Sequence, residues 1–256
     1  MSDQTAVTPV IAAAASGAPD VFLTCDVEPD CPPYLWTWRG IDEGAPRLFD
    51  LLGEEQVACT FFTTGNVARR SPNVVRWVVD EGHELASHGM THRAFPKLDV
   101  DMARWEIEES ARVLRDFAPV TAFRAPYLQL PEAYVPLLED AGFALDASLA
   151  RYKRSFKAPR ARSSLVRVAA SITSSALRLP AGMRDRWLDR LVSPVVLFVH
   201  PWEFVDLTRT GIRWDCRLRT GEPALRSVRE VIRHFRARGS RFRLMRDLLP
   251  AAAAAS

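Results

Sequence analysis

The sequence predicts an α/β fold, organised as a single domain around a mostly parallel sheet. Short apolar runs of strand length alternate along the 256 residues with amphipathic segments of helical length, and no internal linker interrupts them. Parallel strands need crossover connections, which such helices provide. Hydrophobic residues make up 48% of the chain and charged residues 25%, which is typical of a soluble globular protein. This pattern leaves open whether the sheet is open or closed.

The predicted strands are short apolar runs, most of which stop at a polar residue. The first run stops at a cluster of carboxylates, and the last is apolar throughout. We predict strands at 20–25, 57–63, 83–87, 120–123, 143–145, near 165–169 and at 195–199, with a strand or turn near 241–244.

The predicted helices are recognised by their ends and by one apolar face. Ser71 and Pro72 place an N-cap before a proline at the first helical position. Gly53, Gly82 and Gly142 each follow the last turn of a helix. We predict helices at 45–52, 73–81, 99–117, between Pro131 and Gly142, near 183–191 and at 224–238.

The two ends of the chain are predicted to be disordered, as an arm over 1–18 and a tail over 251–256, so that the domain covers 19–250. The arm contains no Lys or Arg and only a short alanine-rich run, unlike a secretory signal. No apolar run approaches the ~18 residues needed to span a bilayer. We therefore expect a cytoplasmic protein without a membrane span.

The four cysteines form no CxxC motif. Cys25 and Cys59 fall in predicted strands, where we interpret them as buried reduced thiols, and this fits a reducing compartment.

The net charge of +3 is unevenly distributed, because the basic segment 150–193 holds eleven Lys or Arg against two Asp. Such a segment can be a solvated basic face, or it can contact an anionic substrate or a phosphate. Binding to nucleic acid is less favoured, because aromatic residues are sparse in the segment. The oligomeric state is left open.

Polar side chains follow five of the predicted strands. The carboxyl ends of parallel strands share one rim, so residues far apart in the sequence can meet there. The residues at these ends are Asp26 and Glu28, His88 and His92, Arg124 and Tyr127, Asp146, and His200.

His88 and His92 can turn their imidazoles toward one divalent ion. Two histidines and one carboxylate would leave positions for water and substrate, as in a catalytic metal site. The carboxylate would come from Glu28 or Asp30, leaving Asp26 free as a base. Each acid could instead cap a helix or loop, and the histidine pair could occur without a metal.

Taken in order, these motifs resemble those of the polysaccharide deacetylase family, also called the NodB-homology domain or carbohydrate esterase family 4. The resemblance covers about 21–249, nearly the whole chain. Five motifs in the family's order are far more specific than any one of them. They are Thr24-Cys25-Asp26-Val27-Glu28, Ser87-His88-Gly89-Met90-Thr91-His92, Phe123-Arg124-Ala125-Pro126-Tyr127, Leu145-Asp146-Ala147-Ser148 and Leu197-Phe198-Val199-His200-Pro201.

The resemblance implies a distorted, incomplete (β/α) barrel of about seven parallel strands that hydrolyses an N-acetyl group on a sugar with the help of a metal. It also implies a role for each residue of the motifs. Asp26 resembles the catalytic base, and Arg124 resembles the residue that holds this base. His88 and His92 resemble the histidines that bind the metal, and Tyr127 resembles the donor of an oxyanion-hole backbone NH. His200 resembles the general acid, and Asp146 resembles the carboxylate that orients that acid.

The chain departs from the family pattern at Val27, where many members have a second aspartate that binds the metal. Relatives with an Asp-x-Asp or Asp-x-Glu motif suggest Glu28 as the ligand, with Asp30 as the alternative. Zinc is the expected metal, although manganese, cobalt or iron could occupy such a site.

The departure points toward the branch that contains bacterial sugar deacetylases of biosynthetic pathways, and away from polymeric chitin or peptidoglycan. The lack of an export signal and the basic segment lead us to expect an intracellular acetamido sugar that is phosphorylated, nucleotide-linked or lipid-linked. The alternatives are a hydrolase of another small or cyclic amide on the same fold and a non-catalytic module that binds a glycan or an anion.

Overall fold

The computed structural model describes residues 17–35, 37–153 and 163–250. The predictions for 1–16 and 251–256 lie outside the described residues, as does part of the basic segment, 154–162. Within the described ranges, no helix is both long and apolar enough to cross a bilayer.

Seven strands form one sheet in which every pairing is parallel. The order across the sheet is β6-β5-β4-β3-β2-β1-β7. The strands are β1 Val21–Val27, β2 Thr60–Thr63, β3 Glu84–Ser87, β4 Ala122–Phe123, β5 Leu145–Ala150, β6 Val166–Ala170 and β7 Val195–Val199.

The two edge strands of the sheet approach each other after β6. Ser171 N donates to Val196 O at 2.9 Å, and Val196 N donates back to Ser171 Oγ at 3.0 Å. The described residues of β6 and β7 share no strand pairing, so one seam stays unsealed. The prediction of a distorted, incomplete barrel of about seven parallel strands in a single domain is therefore confirmed.

The helices surround this barrel. The predicted longer helices are present, whereas α2, α6 and α8, of four to six residues, were not predicted because one turn shows no periodicity. The helices are α1 Ala45–Glu55, α2 Gly65–Arg70, α3 Pro72–Asp80, α4 Val100–Arg115, α5 Val135–Asp140, α6 Ser174–Leu177, α7 Ala181–Leu188, α8 Trp214–Arg217 and α9 Glu222–Ala237. Shorter turns are a π-helical turn at Gly40–Gly44 and 3-10 turns at Phe95–Lys97, Pro126–Leu128, Glu132–Tyr134, Pro201–Phe204 and Met245–Leu248.

The strand alternation divides the core into two layers. One face of β1 packs against the helices through Leu23 and Cys25. The other face points into the barrel, where Phe22 packs with Phe62 and Met245. Cys25 is a buried free thiol, as predicted, and Cys59 is likewise buried and free.

A buried acid lies at the amino end of the barrel. Glu84, the first residue of β3, accepts hydrogen bonds from Thr60 Oγ1 at 2.7 Å and from Arg246 N at 3.1 Å. Burial raises the pKa of Glu84, and these hydrogen bonds offset the rise only in part. Compared with the unfolded chain, the folded protein therefore shifts this side chain toward its neutral form.

We expect Glu84→Gln to stabilise the protein at pH 8 and to have little effect near pH 4. Because the pKa of Glu84 is raised on folding, its favourable contribution is complete below the ordinary pKa and is lost as the pH rises through the folded value. The neutral amide keeps the two acceptor contacts at every pH. Denaturant unfolding at the two pH values measures the difference, with Glu54→Gln, on the exposed surface, as the control. Equal effects of Glu84→Gln at both pH values would contradict this assignment.

Candidate active site

A cavity of about 300 Å³ opens at the carboxyl end of the barrel. This end is where a parallel barrel gathers side chains from separate strands. The predicted residues that line the cavity are Asp26, Glu28, His88, His92, Tyr127 and His200. Arg124 lies beneath them and is fully buried.

Glu28, His88 and His92 form a cluster in which one donor atom from each residue lies within 4.8 Å of the others. Glu28 Oε2 is 3.4 Å from His88 Nε2 and touches His92 Nε2 directly. His88 Nδ1 lies 2.7 Å from Arg124 O, which leaves Nε2 toward the cluster. His92 Nδ1 is buried and has no hydrogen-bond partner among the described residues. Two imidazoles and one carboxylate so placed can hold a divalent ion.

The loop between the two histidines is held by a residue that the sequence did not single out. Glu106, fully buried on α4, accepts hydrogen bonds from Met90 N and Thr91 N, both at 2.8 Å, and from the Thr91 hydroxyl. Gly89, with φ of 76°, allows the loop to turn toward this carboxylate. The loop geometry that brings His92 back beside His88 therefore depends on a distant helix.

Asp30, the alternative to Glu28, uses its carboxylate elsewhere. Its Oδ1 accepts from Gly40 N at 2.7 Å, and its Oδ2 accepts from Thr37 Oγ1 at 2.6 Å and from Arg39 N at 2.9 Å. These bonds satisfy backbone donors where the π-helical turn Gly40–Gly44 begins. The geometry thus favours Glu28 in the cluster and gives Asp30 a capping role.

Glu28 is oriented by a tryptophan indole. Trp202 Nε1 donates to Glu28 Oε1 at 3.1 Å, and His200 Nε2 lies 3.9 Å from the same oxygen. Burial alone would raise the pKa of Glu28, but charge on His92 and His200, together with hydrogen bonds from both cluster histidines, holds that pKa well below its ordinary value. The carboxylate is therefore ionised.

Asp26 is held by a buried ion pair. Arg124 Nη1 donates to Asp26 Oδ1 at 2.5 Å and to Thr24 Oγ1 at 2.7 Å. The guanidinium also stacks on Phe62, 4.0 Å from the ring centroid. These contacts lie on the inner face of the barrel, and they fix Asp26 beside the cluster of Glu28, His88 and His92.

His200, directly after β7, is paired with Glu203. His200 Nδ1 lies 2.7 Å from Glu203 Oε1, and Glu203 Oε2 is 2.9 Å from Arg178 Nε. Burial lowers the pKa of His200, but the carboxylates of Glu28 and Glu203 outweigh it and raise that pKa to about 9. Burial also acts against ionised Glu203, but Arg178 and His200 outweigh it and lower its pKa.

The prediction that Asp146 orients His200 is wrong. Asp146 is the second residue of β5 and lies beside Arg167, with Oδ2 at 2.9 Å from Arg167 Nε, while its Oδ1 accepts from Ser148 N at 2.9 Å. Its neighbours Leu145 and Ala147 point into the barrel, so Asp146 points to the opposite face of the sheet.

The orienting position is occupied by Glu203, which the sequence analysis missed. The signal that could have found it is a Glu three residues after a histidine that precedes proline, because a 3-10 turn over Pro201–Phe204 brings residues three apart together.

Tyr127 follows β4 in a left-handed conformation, with φ of 59°. Its ring packs edge-on against His92, with ring centroids 4.8 Å apart. Burial and the negative charge of Glu28 raise the pKa of its hydroxyl to about 12, so the side chain is neutral. The ring of Tyr127 thus lies next to the Glu28, His88 and His92 cluster.

We expect Trp202→Phe to weaken binding of a divalent metal by about 10- to 100-fold, as loss of a residue that orients a ligand typically does. Phenylalanine keeps an aromatic ring against His200 but removes the donor to Glu28. Competition with a chromogenic chelator measures the affinity, and Trp214→Phe, at a residue 71% exposed, is the matched control. An unchanged affinity in Trp202→Phe would show that the indole does not orient Glu28.

Comparison with known proteins agrees with this geometry. The polysaccharide deacetylase family model matches residues 14–145. A chitooligosaccharide deacetylase from Sinorhizobium fredii is 36% identical over 115 residues, which are 44% of this chain and 48% of that protein. A peptidoglycan N-acetylglucosamine deacetylase from Bacillus cereus is 30% identical over 129 residues, which are 49% of this chain and 42% of that protein. The matches therefore span about half the length of these relatives.

Solved structures share the fold along nearly the whole chain. A family 4 carbohydrate esterase from Streptomyces lividans, in complex with acetate, has a TM-score of 0.62 at 16% identity and covers 90% of this chain and 94% of that one. A family 4 pseudoenzyme from Bacillus anthracis has a TM-score of 0.62 at 15% identity and covers 90% of this chain and 65% of that one. The ordered motifs, the incomplete barrel and the match to the family model together place this chain in the polysaccharide deacetylase family.

Proposed function

We propose that this protein is a metal-dependent deacetylase that hydrolyses the N-acetyl group of an acetamido sugar. One observation carries the proposal: the Glu28, His88 and His92 cluster shares a single cavity with Asp26 and His200. Amide hydrolysis needs a base to activate water and an acid to protonate the leaving amine. The cavity contains a candidate for each.

The cluster fits a divalent ion held by Glu28, His88 and His92. Its donor atoms are an ionised carboxylate oxygen and two imidazole nitrogens, and His88 donates from Nδ1 to the Arg124 carbonyl, which leaves His88 Nε2 available. When bound there, the ion, which we propose to be zinc, supplies Lewis acidity that lowers the pKa of water and polarises the acetyl carbonyl.

Asp26 is proposed as the general base. Its ion pair with buried Arg124 fixes one carboxylate oxygen, so the other oxygen is left to accept a proton from water. The base is thereby held in one orientation before substrate binds, which reduces the reorganisation needed in the reaction.

His200 is proposed as the general acid that protonates the departing nitrogen. Its raised pKa keeps the imidazolium populated at neutral pH, and Glu203 on Nδ1 leaves Nε2 to face the cavity. Two separate buried ion pairs therefore position the proposed base and acid. Arg124 pairs with the base Asp26, and Arg178 pairs with Glu203, which contacts the acid His200.

Tyr127 is proposed to donate its backbone NH to the developing oxyanion. Support comes from its position after β4 and from the packing of its ring on His92. Removal of a donor of this type typically costs ~3 kcal/mol of transition-state stabilisation.

Aromatic side chains around the cavity support a sugar as the substrate. Tyr34, Tyr152 and Trp202 line it together with Pro32 and Pro33, and rings of this kind pack against the apolar faces of sugars. The named relatives act on chitooligosaccharide and on peptidoglycan N-acetylglucosamine. The proposed substrate class is thus an acetamido sugar, and its size and any attached phosphate, nucleotide or lipid group are to be measured.

Acetate release from a panel of these sugars tests the function. The panel contains chitooligosaccharides, peptidoglycan fragments and phosphorylated, nucleotide-linked or lipid-linked acetamido sugars. We expect turnover that a chelator abolishes and zinc restores, and a fall in kcat of about 10²- to 10⁴-fold in Asp26→Asn with metal still bound. The control is Asp42→Asn, at an exposed ion pair with Arg70.

Three results would count against the proposal. Turnover that resists the chelator rejects the metal, full activity in Asp26→Asn rejects the base, and sugar binding without acetate release indicates a binding module. Opening of a cyclic amide without acetate release would instead indicate another amide hydrolase.

We expect Glu203→Gln to shift the alkaline limb of the kcat–pH profile to lower pH. The negative charge of Glu203 helps to raise the pKa of His200, so its removal lowers that pKa. A general acid works only while protonated, so activity is lost at a lower pH in the variant. The measurement is kcat across pH in the variant and in Glu230→Gln, the control at an exposed carboxylate paired with Arg184. A uniform fall in rate with an unmoved limb would indicate a purely structural role.

A further inference from the structure

Two cysteines that the proposed reaction does not use line the same cavity. Cys31, in the loop after β1, is buried, and Cys216, on α8, is half-buried. Both border the cavity that contains Glu28 and His200. Both also belong to one apolar cluster with Trp202 and Ile212.

The two thiols contact each other although they lie far apart in the sequence. Both side chains pack into the same apolar cluster, and each alters the pKa of the other. This packing connects the loop that follows Glu28 with the α8 segment at the cavity. The remaining two cysteines, Cys25 and Cys59, are fully buried behind the sheet and lie apart from the cavity.

The backbone around each thiol is fixed by hydrogen bonds. Arg178 Nη1 donates to Cys216 O at 2.8 Å and to Leu218 O at 2.9 Å, and its Nη2 donates to Asp215 O at 2.9 Å. Cys31 O accepts from Tyr34 N at 3.0 Å. The two backbone segments that carry the thiols are therefore each held in place by hydrogen bonds.

We propose that Cys31 and Cys216 form a thiol modification site that takes a peroxide and closes into an intramolecular disulfide at the mouth of the cavity. The half-buried Cys216 is the first to react, because the peroxide can reach it and because the neighbouring Cys31 lowers its pKa. Buried Cys31, whose pKa is raised by Cys216 and by burial, then resolves the intermediate.

The proposed reaction is balanced by one peroxide for each disulfide. The Cys216 thiolate forms a bond to one peroxide oxygen, the O–O bond breaks, and a sulfenic acid results. The other oxygen leaves as hydroxide, which takes up the proton that the Cys216 thiol has lost and becomes water. The Cys31 sulfur attacks the sulfenic sulfur, the S–O bond breaks, and the departing hydroxide takes the Cys31 proton to form a second water. Two thiols are oxidised by two electrons, and the peroxide is reduced to two waters.

The disulfide would also act on the cavity, and this step rests on the proposed function. An S–S bond of about 2.05 Å is shorter than a hydrogen-bonded contact between thiols, so it draws α8 toward the loop after β1. Arg213, beside α8, lines the cavity and would move with it. We therefore expect oxidation to raise KM for the sugar more than it lowers kcat.

Thiol titration in denaturant after treatment of the zinc-loaded full chain with hydrogen peroxide tests the site. The untreated chain has four free thiols, and we expect two after treatment. Peptide mapping without reductant should recover one cross-link, between Cys31 and Cys216, and dithiothreitol should restore four thiols. In Cys216→Ser, the same treatment should leave all three remaining thiols free.

Several outcomes would overturn the proposal. These are four thiols after treatment, a cross-link that contains Cys25 or Cys59, a cross-link between two chains, and further oxidation of Cys216 without a cross-link. Mapping of the wild-type chain gives the answer even where a variant does not fold. Neither the thiol titration nor the peptide mapping needs acetate release. Failure of the thiol site is therefore distinguishable from failure of the proposed deacetylation.

Discussion

The buried guanidinium of Arg124 is the interaction on which the rest of the site depends. Its Nη1 holds Asp26, while its backbone carbonyl holds His88 Nδ1. Arg124, which directly follows β4, thus positions both the proposed base and one histidine of the proposed metal site. A charge this deeply buried is tolerated only when paired, and removal of one partner of such a pair typically costs about 3–5 kcal/mol. The fold and the site are therefore coupled through a single residue.

The carboxyl end of the barrel contains several buried charges, each compensated by a named partner. Asp26 pairs with Arg124, and Glu203 pairs with Arg178 and His200. Glu28, in contrast, faces histidines and an indole, which leaves room for a cation. Differences in partner therefore separate three acids of similar chemistry into a proposed base, a partner of His200 and a proposed metal ligand.

Much of the fold could be predicted from the sequence because its signals are local. Apolar runs such as 195–199 and stop signals such as Gly82 depend only on neighbouring residues, and the strands they predict are present in the barrel. The short helix α2 gave no such signal, since six residues show too little periodicity. Asp146 illustrates the opposite limit. Its motif placed it after a strand, but β5 continues to Ala150 and turns the side chain to the outer face.

By itself, the sequence determined the order of strands and helices and the set of polar residues that could meet at one rim. Only the tertiary structure decided which of them do meet. Glu28 faces the histidines while Asp30 caps a turn, and Glu203 rather than Asp146 contacts His200. The physical reason is that strand periodicity is set by each residue and its neighbours. The partner of a buried charge, however, is set by the register of strands and by turns that bring distant segments together.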